Sequence, residues 1–178
     1  KSWCPQCMYA RSTGQPRRKV ADDSEGALPR TSLDYVYMSN EKEKCLPMLV
    51  VRDRQTKSYA ATFVEEKGTN DYATSFLARF VRSLGYRRVE AQSDGEPALK
   101  ALVKRLVVGV PEVEFIKLES PEGDHQSNGE AENAVREVKR QVRAINSATE
   151  SKLWKKLSEK DPLLSWLPRH ASDLLNRY

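Results

Sequence analysis

The order of apolar and polar positions along the chain predicts three strands in the first half of the sequence. Each is a short run rich in Tyr, Val, Phe or Met that is bounded by polar residues, and such runs are typical of strands. The runs occupy residues 32–39, 46–53 and 58–65, with a polar turn at 54–57 between the last two. We therefore expect an antiparallel meander of three strands.

Helical spacing follows the meander. Apolar side chains recur every three or four positions from Tyr72 to Leu84, where Thr69 or Asn70 can cap the start of the helix and Gly85 ends it. The later elements are a strand at 87–93, a helix from Pro97 through Val107 that Gly109 ends, a strand at 112–118, and helices at 130–149 and 162–178. This order, βββαβαβαα, predicts an α/β protein with a five-stranded mixed sheet and helices on both faces, which is the order of the RNase H-like fold.

Length and composition agree with a single domain of this kind. A chain of 178 residues suits one α/β domain with a short appendage, and 39% apolar with 31% charged residues is typical of a folded chain. No apolar run is long enough to span a bilayer, so no membrane partner is expected. The chain begins at Lys1 with neither a start Met nor a signal peptide, which suggests a piece of a longer polyprotein.

The first thirty residues differ from the remainder of the chain. Cys4 and Cys7 have the spacing of half a metal knuckle, and the polar stretch after them shows no periodicity. We expect a remnant of a zinc-binding domain and a linker at residues 1–30, followed by the main domain at 31–178. Three cysteines cannot form a full disulfide framework, so an intracellular, reducing setting is the simpler interpretation.

Three acidic residues stand at unusual positions. Asp34 lies inside the first predicted strand, Asp94 at the carboxyl end of the fourth, and Glu132 in the first turn of a helix that follows a polar loop. Side chains at such positions can converge on one point. Carboxylates are the ligands that Mg²⁺ prefers, and two bound divalent ions can stabilise both the attacking and the leaving oxygen in phosphodiester transfer. The sequence therefore predicts a catalytic site for that chemistry.

A cationic stripe accompanies the last of these acids. Glu132, Arg136, Lys139 and Arg143 stand at i, i+4, i+7 and i+11, which places them on one helix face. The cations on this face would bind the phosphates of a DNA backbone lying along it, without contacts that depend on the base sequence. The alternative is a solvated surface with helical salt bridges such as Glu132 with Arg136. The net charge of +5 only weakly favours a polyanionic partner.

The sequence around the three acids resembles a known family. Residues 33–36 (Leu-Asp-Tyr-Val), 92–96 (Gln-Ser-Asp-Gly-Glu) and 126–133 (Gln-Ser-Asn-Gly-Glu-Ala-Glu-Asn) look like the three blocks of the integrase core of retroviruses and LTR retrotransposons. The third block of that family reads Gly-x-x-Glu, which selects Glu132 rather than Glu130. Cys4-Pro-Gln-Cys7 is similar to the second half of the family's His-His-Cys-Cys zinc domain, although both histidines are missing.

The resemblance implies a function and a set of site residues. Asp34, Asp94 and Glu132 would be the catalytic residues and would hold two Mg²⁺ or Mn²⁺ ions, while Cys4 and Cys7 would hold Zn²⁺ only in the full-length protein. The residues that would contact DNA are Asn128, Arg136, Lys139 and Arg143. The chain would be a polynucleotidyl transferase from a retrotransposon pol polyprotein. It would process the 3′ ends of the element DNA and join them to target DNA, as a homo-oligomer inside the cell and in the nucleus at the time of integration.

Two other functions stay open. A nuclease of the same fold would use a fourth acid, which Glu96 or Glu130 could supply, and Glu96 stands where the integrase family often has Asn. A decayed element would retain only a DNA-binding or assembly role. Among the aromatic residues, we expect Tyr35, Trp154 and Trp166 to pack in the protein rather than to contact DNA.

Overall fold

The protein is represented by a computed structural model that describes residues 27–39, 46–93, 95–119, 129–157 and 161–178. Within these ranges the strands are β1 (Arg30–Val36), β2 (Met48–Asp53), β3 (Tyr59–Phe63), β4 (Arg88–Ser93) and β5 (Glu114–Glu119). The helices are α1 (Asp71–Leu84), α2 (Pro97–Gly109), α3 (Gly129–Leu153) and α4 (Pro162–Arg177). The expected order of strands and helices is confirmed, with boundaries that differ by a few residues.

The strands form one mixed sheet in the order β3-β2-β1-β4-β5. β1 is central. It pairs with β2 in the antiparallel direction, with Asp34 opposite Val50, and with β4 in the parallel direction, with Ser32 opposite Gln92. The meander of β1, β2 and β3 and the parallel pairing of β4 with β5 complete the five-stranded sheet. The carboxyl ends of β1, β4 and β5 therefore lie at the same edge of the sheet.

Helices cover both faces of this sheet, as expected. Leu33 and Tyr35 of β1 pack under α1 and α2 in a large apolar cluster. Met48 and Val50 of β2 face the other way and pack with α3 and α4. Successive side chains of a strand point to opposite faces, so each strand contributes to both cores. Burial of each large aliphatic side chain stabilises the fold by roughly 1.5–3 kcal/mol.

The ends of α1 follow the sequence closely. The Asn70 side chain accepts hydrogen bonds from the backbone N–H groups of Tyr72 and Ala73, at 2.8 and 3.1 Å. Gly85 ends the helix with φ of 72°, a left-handed conformation that glycine adopts without a steric penalty. Of the two predicted caps, the structure therefore selects Asn70.

One of the two tryptophans does not pack as expected. Trp154 follows the end of α3 with φ of 52°, and 95% of its surface is exposed, so the prediction of a packing role is wrong for it. Trp166 is half-exposed and stacks on His170, with ring centroids 4.2 Å apart. The end of α3 turns Trp154 away from the sheet, which the spacing of apolar residues does not reveal. Tyr35 is buried, as expected.

No helix of the described ranges combines the length and the apolar character that crossing a membrane requires.

Candidate functional site

Asp34 lies near the carboxyl end of the central strand. Its neighbours Leu33 and Tyr35 point into the core under α1 and α2. Asp34 therefore points to the face that α3 and α4 cover. Its side chain is half-buried. An acidic side chain in a central strand does not add to the packing of the sheet, so its position is better explained by a role in a site.

Lys139 connects α3 to this carboxylate. Burial is the main cause that lowers the pKa of Lys139 below its usual value, and the positive charge of Arg143 lowers it further. The carboxylate of Asp34 acts in the opposite direction and raises the pKa of Lys139. Lys139 is thus close enough to interact electrostatically with both residues. Lys139 therefore brings a positive charge of the cationic stripe close to the candidate catalytic strand.

The rest of the stripe lies beside the packed face of α3. Glu132, Arg136 and Arg143 are exposed, and Lys139 is half-buried. The neighbouring side of the helix is buried and includes Ala131, Ala134, Val138 and Val142. With a rise of about 1.5 Å per residue, Glu132 stands about 10 Å along the helix axis from Lys139. The stripe therefore forms an exposed edge that ends at Glu132.

Several of the predicted site residues lie outside the described ranges: Cys4, Cys7, Asp94 and Asn128. Ser93, which precedes Asp94 in the chain, ends β4 beside β1. Among the described residues, no group of three or more His, Cys, Asp or Glu side chains is close enough to hold a metal ion. Because Asp94 is not among them, the convergence of the three acids stays a prediction.

The described residues are compatible with a divalent metal site on this face. Asp34 supplies a half-buried carboxylate, which is the donor type that Mg²⁺ prefers. The hydroxyl of Ser32 points to the same face two residues earlier, and it is buried without a hydrogen-bond partner in the described part of the chain. Buried hydroxyls nearly always have a partner, so this one fits a site that takes up a further polar group.

The two additional acids have cationic partners. Glu96 precedes α2 and forms an ion pair of 2.7 Å with Lys67. The Lys67 ammonium also lies 5.6 Å from the ring centre of Tyr35, on the face opposite to Asp34. Burial is the main cause that raises the pKa of Tyr35, and Glu96 raises it as well. Glu130, at the start of α3, lies 3.7 Å from Arg54.

A second cationic surface was not singled out from the sequence. A cleft of about 280 Å³ lies between α2 and the carboxyl ends of β4 and β5, and its lining includes Ser93, Lys100, Lys104 and Lys117. The i, i+4 spacing of Lys100 and Lys104 was the available signal. Lys117 joins them only through the pairing of β5 with β4, which the sequence does not show.

The sheet order and the helices on both faces define the class of fold, an α/β domain of RNase H-like type. Among solved structures, a chain of the simian T-cell lymphotropic virus intasome in complex with PP2A regulatory subunit B56 gamma is similar to this protein. The TM-score is 0.58 and the identity 15%, with 91% of this chain and 52% of the other covered, so this chain spans about half the length of that one.

A second solved structure is the catalytic core domain of BIV integrase. It has a TM-score of 0.46 and 15% identity, and the match covers 83% of this chain and 80% of the other. No protein-family model matches the sequence, and neither does any curated protein. At this level of identity, the comparison with the intasome chain supports the fold alone.

Proposed function

We propose that this protein is the catalytic core of a DNA integrase, a polynucleotidyl transferase that joins the 3′ ends of an element to target DNA. The observation that carries the proposal is the position of Asp34. It lies on the central strand, half-buried, on the face where Lys139 and the cationic stripe of α3 stand. The three acidic sequence blocks and the fold shared with the intasome chain support the same conclusion.

The acidic residues would bind the metal ions. Asp34, Asp94 and Glu132 would hold two Mg²⁺ or Mn²⁺ ions, which supply charge stabilisation for the attacking and leaving oxygens of the phosphodiester. In the absence of metal, the ammonium group of Lys139 offsets part of the charge on Asp34. The full-length protein would add Zn²⁺ at Cys4 and Cys7, with two further ligands from outside this chain.

The stripe on α3 would position the DNA. Arg136 and Arg143 are exposed and can each bind a phosphate oxygen, while the half-buried Lys139 interacts electrostatically with Arg143 and with Asp34. Contacts of this kind hold the backbone in register without reading the sequence. Asn128 would contribute from the preceding loop. We further propose that the protein acts as a homo-oligomer, derives from a retrotransposon polyprotein, and works in the nucleus.

A strand-joining assay tests this function. A labelled duplex pool with randomised recessed ends serves as donor and a supercoiled plasmid as target, with Mg²⁺ or Mn²⁺. We expect joined product with the wild-type protein. Asp34→Asn, Asp94→Asn and Glu132→Gln should each reduce joining by about a hundredfold or more, as expected when a transition-state charge stabiliser is removed. Glu112→Gln, which changes an exposed acid paired with Arg82, is the matched control and should retain activity.

The assay also separates the alternatives. Plasmid cleavage without joining would indicate a nuclease of the same fold. The two acids considered for the fourth carboxylate of such an enzyme both have cationic partners, because Glu96 is paired with Lys67 on the other face and Glu130 lies beside Arg54. Tight DNA binding without metal-dependent chemistry, unaffected by Asp94→Asn, would indicate a non-catalytic DNA-binding module.

A further inference from the structure

A lysine that belongs to none of the three acidic blocks connects the first two of them. Lys67 lies in the loop between β3 and α1, and its ammonium group forms an ion pair of 2.7 Å with Glu96. Glu96 stands directly before α2 and two residues after Asp94. The same ammonium lies 5.6 Å from the ring centre of Tyr35, in β1, and 5.5 Å from that of Tyr37. Lys67 therefore contacts both chain segments that carry the first two acids.

The Lys67 contacts are partly shielded from water. The side chains of Lys67 and Glu96 are 27% and 26% exposed, and the Tyr35 ring is buried. The ion pair of Arg82 with Glu112 has the same length, but about half of each side chain is exposed. Charge attraction is stronger where water is excluded, and aromatic faces within about 6 Å of a cation add to it. We therefore expect the Lys67 pair to restrain the chain more than an exposed pair does.

The loop that presents Lys67 is itself held on two sides. The backbone N–H of Gly68 donates a hydrogen bond of 3.3 Å to the Tyr35 hydroxyl. Gly68 has φ of 108°, a conformation that residues with a side chain rarely adopt. From α2, the Arg105 guanidinium donates a hydrogen bond of 2.8 Å to the carbonyl of Thr69. The backbone next to Lys67 is thus fixed to both β1 and α2.

The turn between β4 and α2 depends on contacts from outside it. Ser93 ends β4, Asp94 follows it in the chain, and Glu96 precedes α2. Gly95 has φ of 84°, and a glycine leaves the backbone more conformational freedom than any other residue. The Glu96 side chain does not cap the helix that it precedes, and its carboxylate binds Lys67. Holding Glu96 therefore restricts the short stretch that starts at Ser93.

We propose that Lys67 is a positioning residue of the integrase core. Through Glu96 it holds the turn after β4 against the end of β1, so that the carboxylates of Asp94 and Asp34 can bind the same metal ions. The effect on catalysis rests on the proposed function, whereas the restraint on the turn depends only on the contacts of Lys67. Glu96 is then the counterion of Lys67 and not a fourth metal ligand.

NMR relaxation of the backbone nitrogens in EDTA tests the restraint without any catalysis. We expect order parameters of about 0.85 at Gly95 and Glu96 in the wild type, the value of rigid backbone. Lys67→Met removes the charge from a side chain of similar shape and should lower both toward about 0.6. Lys67→Arg keeps the charge and should retain the wild-type values. Arg82→Met, which breaks the exposed ion pair with Glu112, is the control and should change neither.

Unchanged order parameters in Lys67→Met would overturn the proposal. If that variant does not fold, Glu96→Gln replaces it, because it removes the other charge of the pair and should release the turn in the same way. The variant with both changes should be no more mobile than Glu96→Gln alone, since Lys67 acts on the turn through Glu96. A further loss of order in the double variant would contradict that route.

The joining assay then tests the effect on catalysis. Lys67→Met should lower kcat about tenfold to a hundredfold and leave the KM for donor and plasmid unchanged, because it displaces a metal-binding group and not a DNA contact. Lys67→Arg should restore most of kcat. A loss in Glu96→Gln without any loss in Lys67→Met would contradict the proposal and indicate that Glu96 binds metal. If Asp34→Asn does not reduce joining, the proposed function fails, whereas the order parameters still decide whether Lys67 holds the turn.

Discussion

At the scale of single residues, the pKa of Lys139 depends on its distance from Asp34 in the candidate site. Asp34 raises its pKa, against the lowering by burial and by Arg143. We predict that Asp34→Asn lowers the pKa of Lys139 further, and that Arg143→Gln raises it. NMR titration of the isotope-labelled lysine Cε and Hε signals in metal-free buffer measures both shifts, with Glu112→Gln as the control. An unchanged pKa in Asp34→Asn would show that the two side chains are not neighbours.

A second residue-scale prediction concerns the buried end of β2. Asp53 is completely buried, and its Oδ2 accepts hydrogen bonds from the Tyr86 hydroxyl at 2.9 Å and from the Thr56 hydroxyl and backbone N–H at 2.7 Å. Burial, and then the hydrogen bond to Asp53, raise the pKa of Tyr86 from 10.0 to about 12. The folded protein therefore holds the Tyr86 proton more tightly than the unfolded chain.

This difference makes stability depend on pH. Its contribution is fully present below pH 10 and is lost as pH rises through about 12. Tyr86→Phe should lower the free energy of unfolding at neutral pH by about 1.5–3 kcal/mol, the range for a hydrogen bond to a charged group, and should remove this part of the alkaline loss. Denaturant unfolding at several pH values measures both, with Tyr178→Phe, which changes an exposed tyrosine, as control. A profile in Tyr86→Phe as steep as in the wild type would contradict the assignment.

At the scale of elements, two glycines at helix ends give opposite predictions. Gly85 has φ of 72°, so Gly85→Ala should destabilise the protein by about 1–2 kcal/mol, the cost of a left-handed residue with a Cβ. Gly109 lies in the last turn of α2 without a positive φ, so Gly109→Ala should be neutral or stabilise by up to about 1 kcal/mol. Thermal and denaturant unfolding check both. Equal effects would show that backbone conformation does not distinguish the two sites.

The elements themselves could be predicted because local signals specify them. Helix ends depend on the residue types that stand at them. The structure confirms the cap at Asn70, the stop at Gly85 and the start at Pro97. Boundaries set by distant partners could not be predicted. β1 starts at Arg30, earlier than expected, because Arg30 lies beside Glu90 of β4 and its carbonyl accepts a hydrogen bond from Arg54.

At the scale of the whole molecule, the sheet brings together residues that the sequence keeps apart. Asn176 near the end of α4 accepts a hydrogen bond from the N–H of Tyr59 at 2.7 Å and donates to its carbonyl at 2.9 Å, which ties the last helix to the edge strand. Lys117 joins Lys100 and Lys104 in the same way, through strand pairing. No local pattern contains such contacts, so sequence reasoning missed the cleft while it found the stripe on one helix.

The candidate site was predictable in its chemistry and only partly in its geometry. The residue types and the three sequence blocks indicated Asp34, Asp94 and Glu132, and the structure describes Asp34 on the central strand and Glu132 in the first turn of α3. The proximity of Lys139 to Asp34 depends on how α3 lies across the sheet, which helical periodicity does not determine. The meeting of all three carboxylates stays a prediction.

A crystal of the protein soaked in Mn²⁺ tests most directly whether the three carboxylates lie together. The account predicts anomalous density for manganese bound by the carboxylates of Asp34, Asp94 and Glu132, and loss of that density in crystals of Asp94→Asn. Crystals with no manganese at these residues at saturating Mn²⁺, or with the Asp94 carboxylate on the face opposite to Asp34, would contradict it.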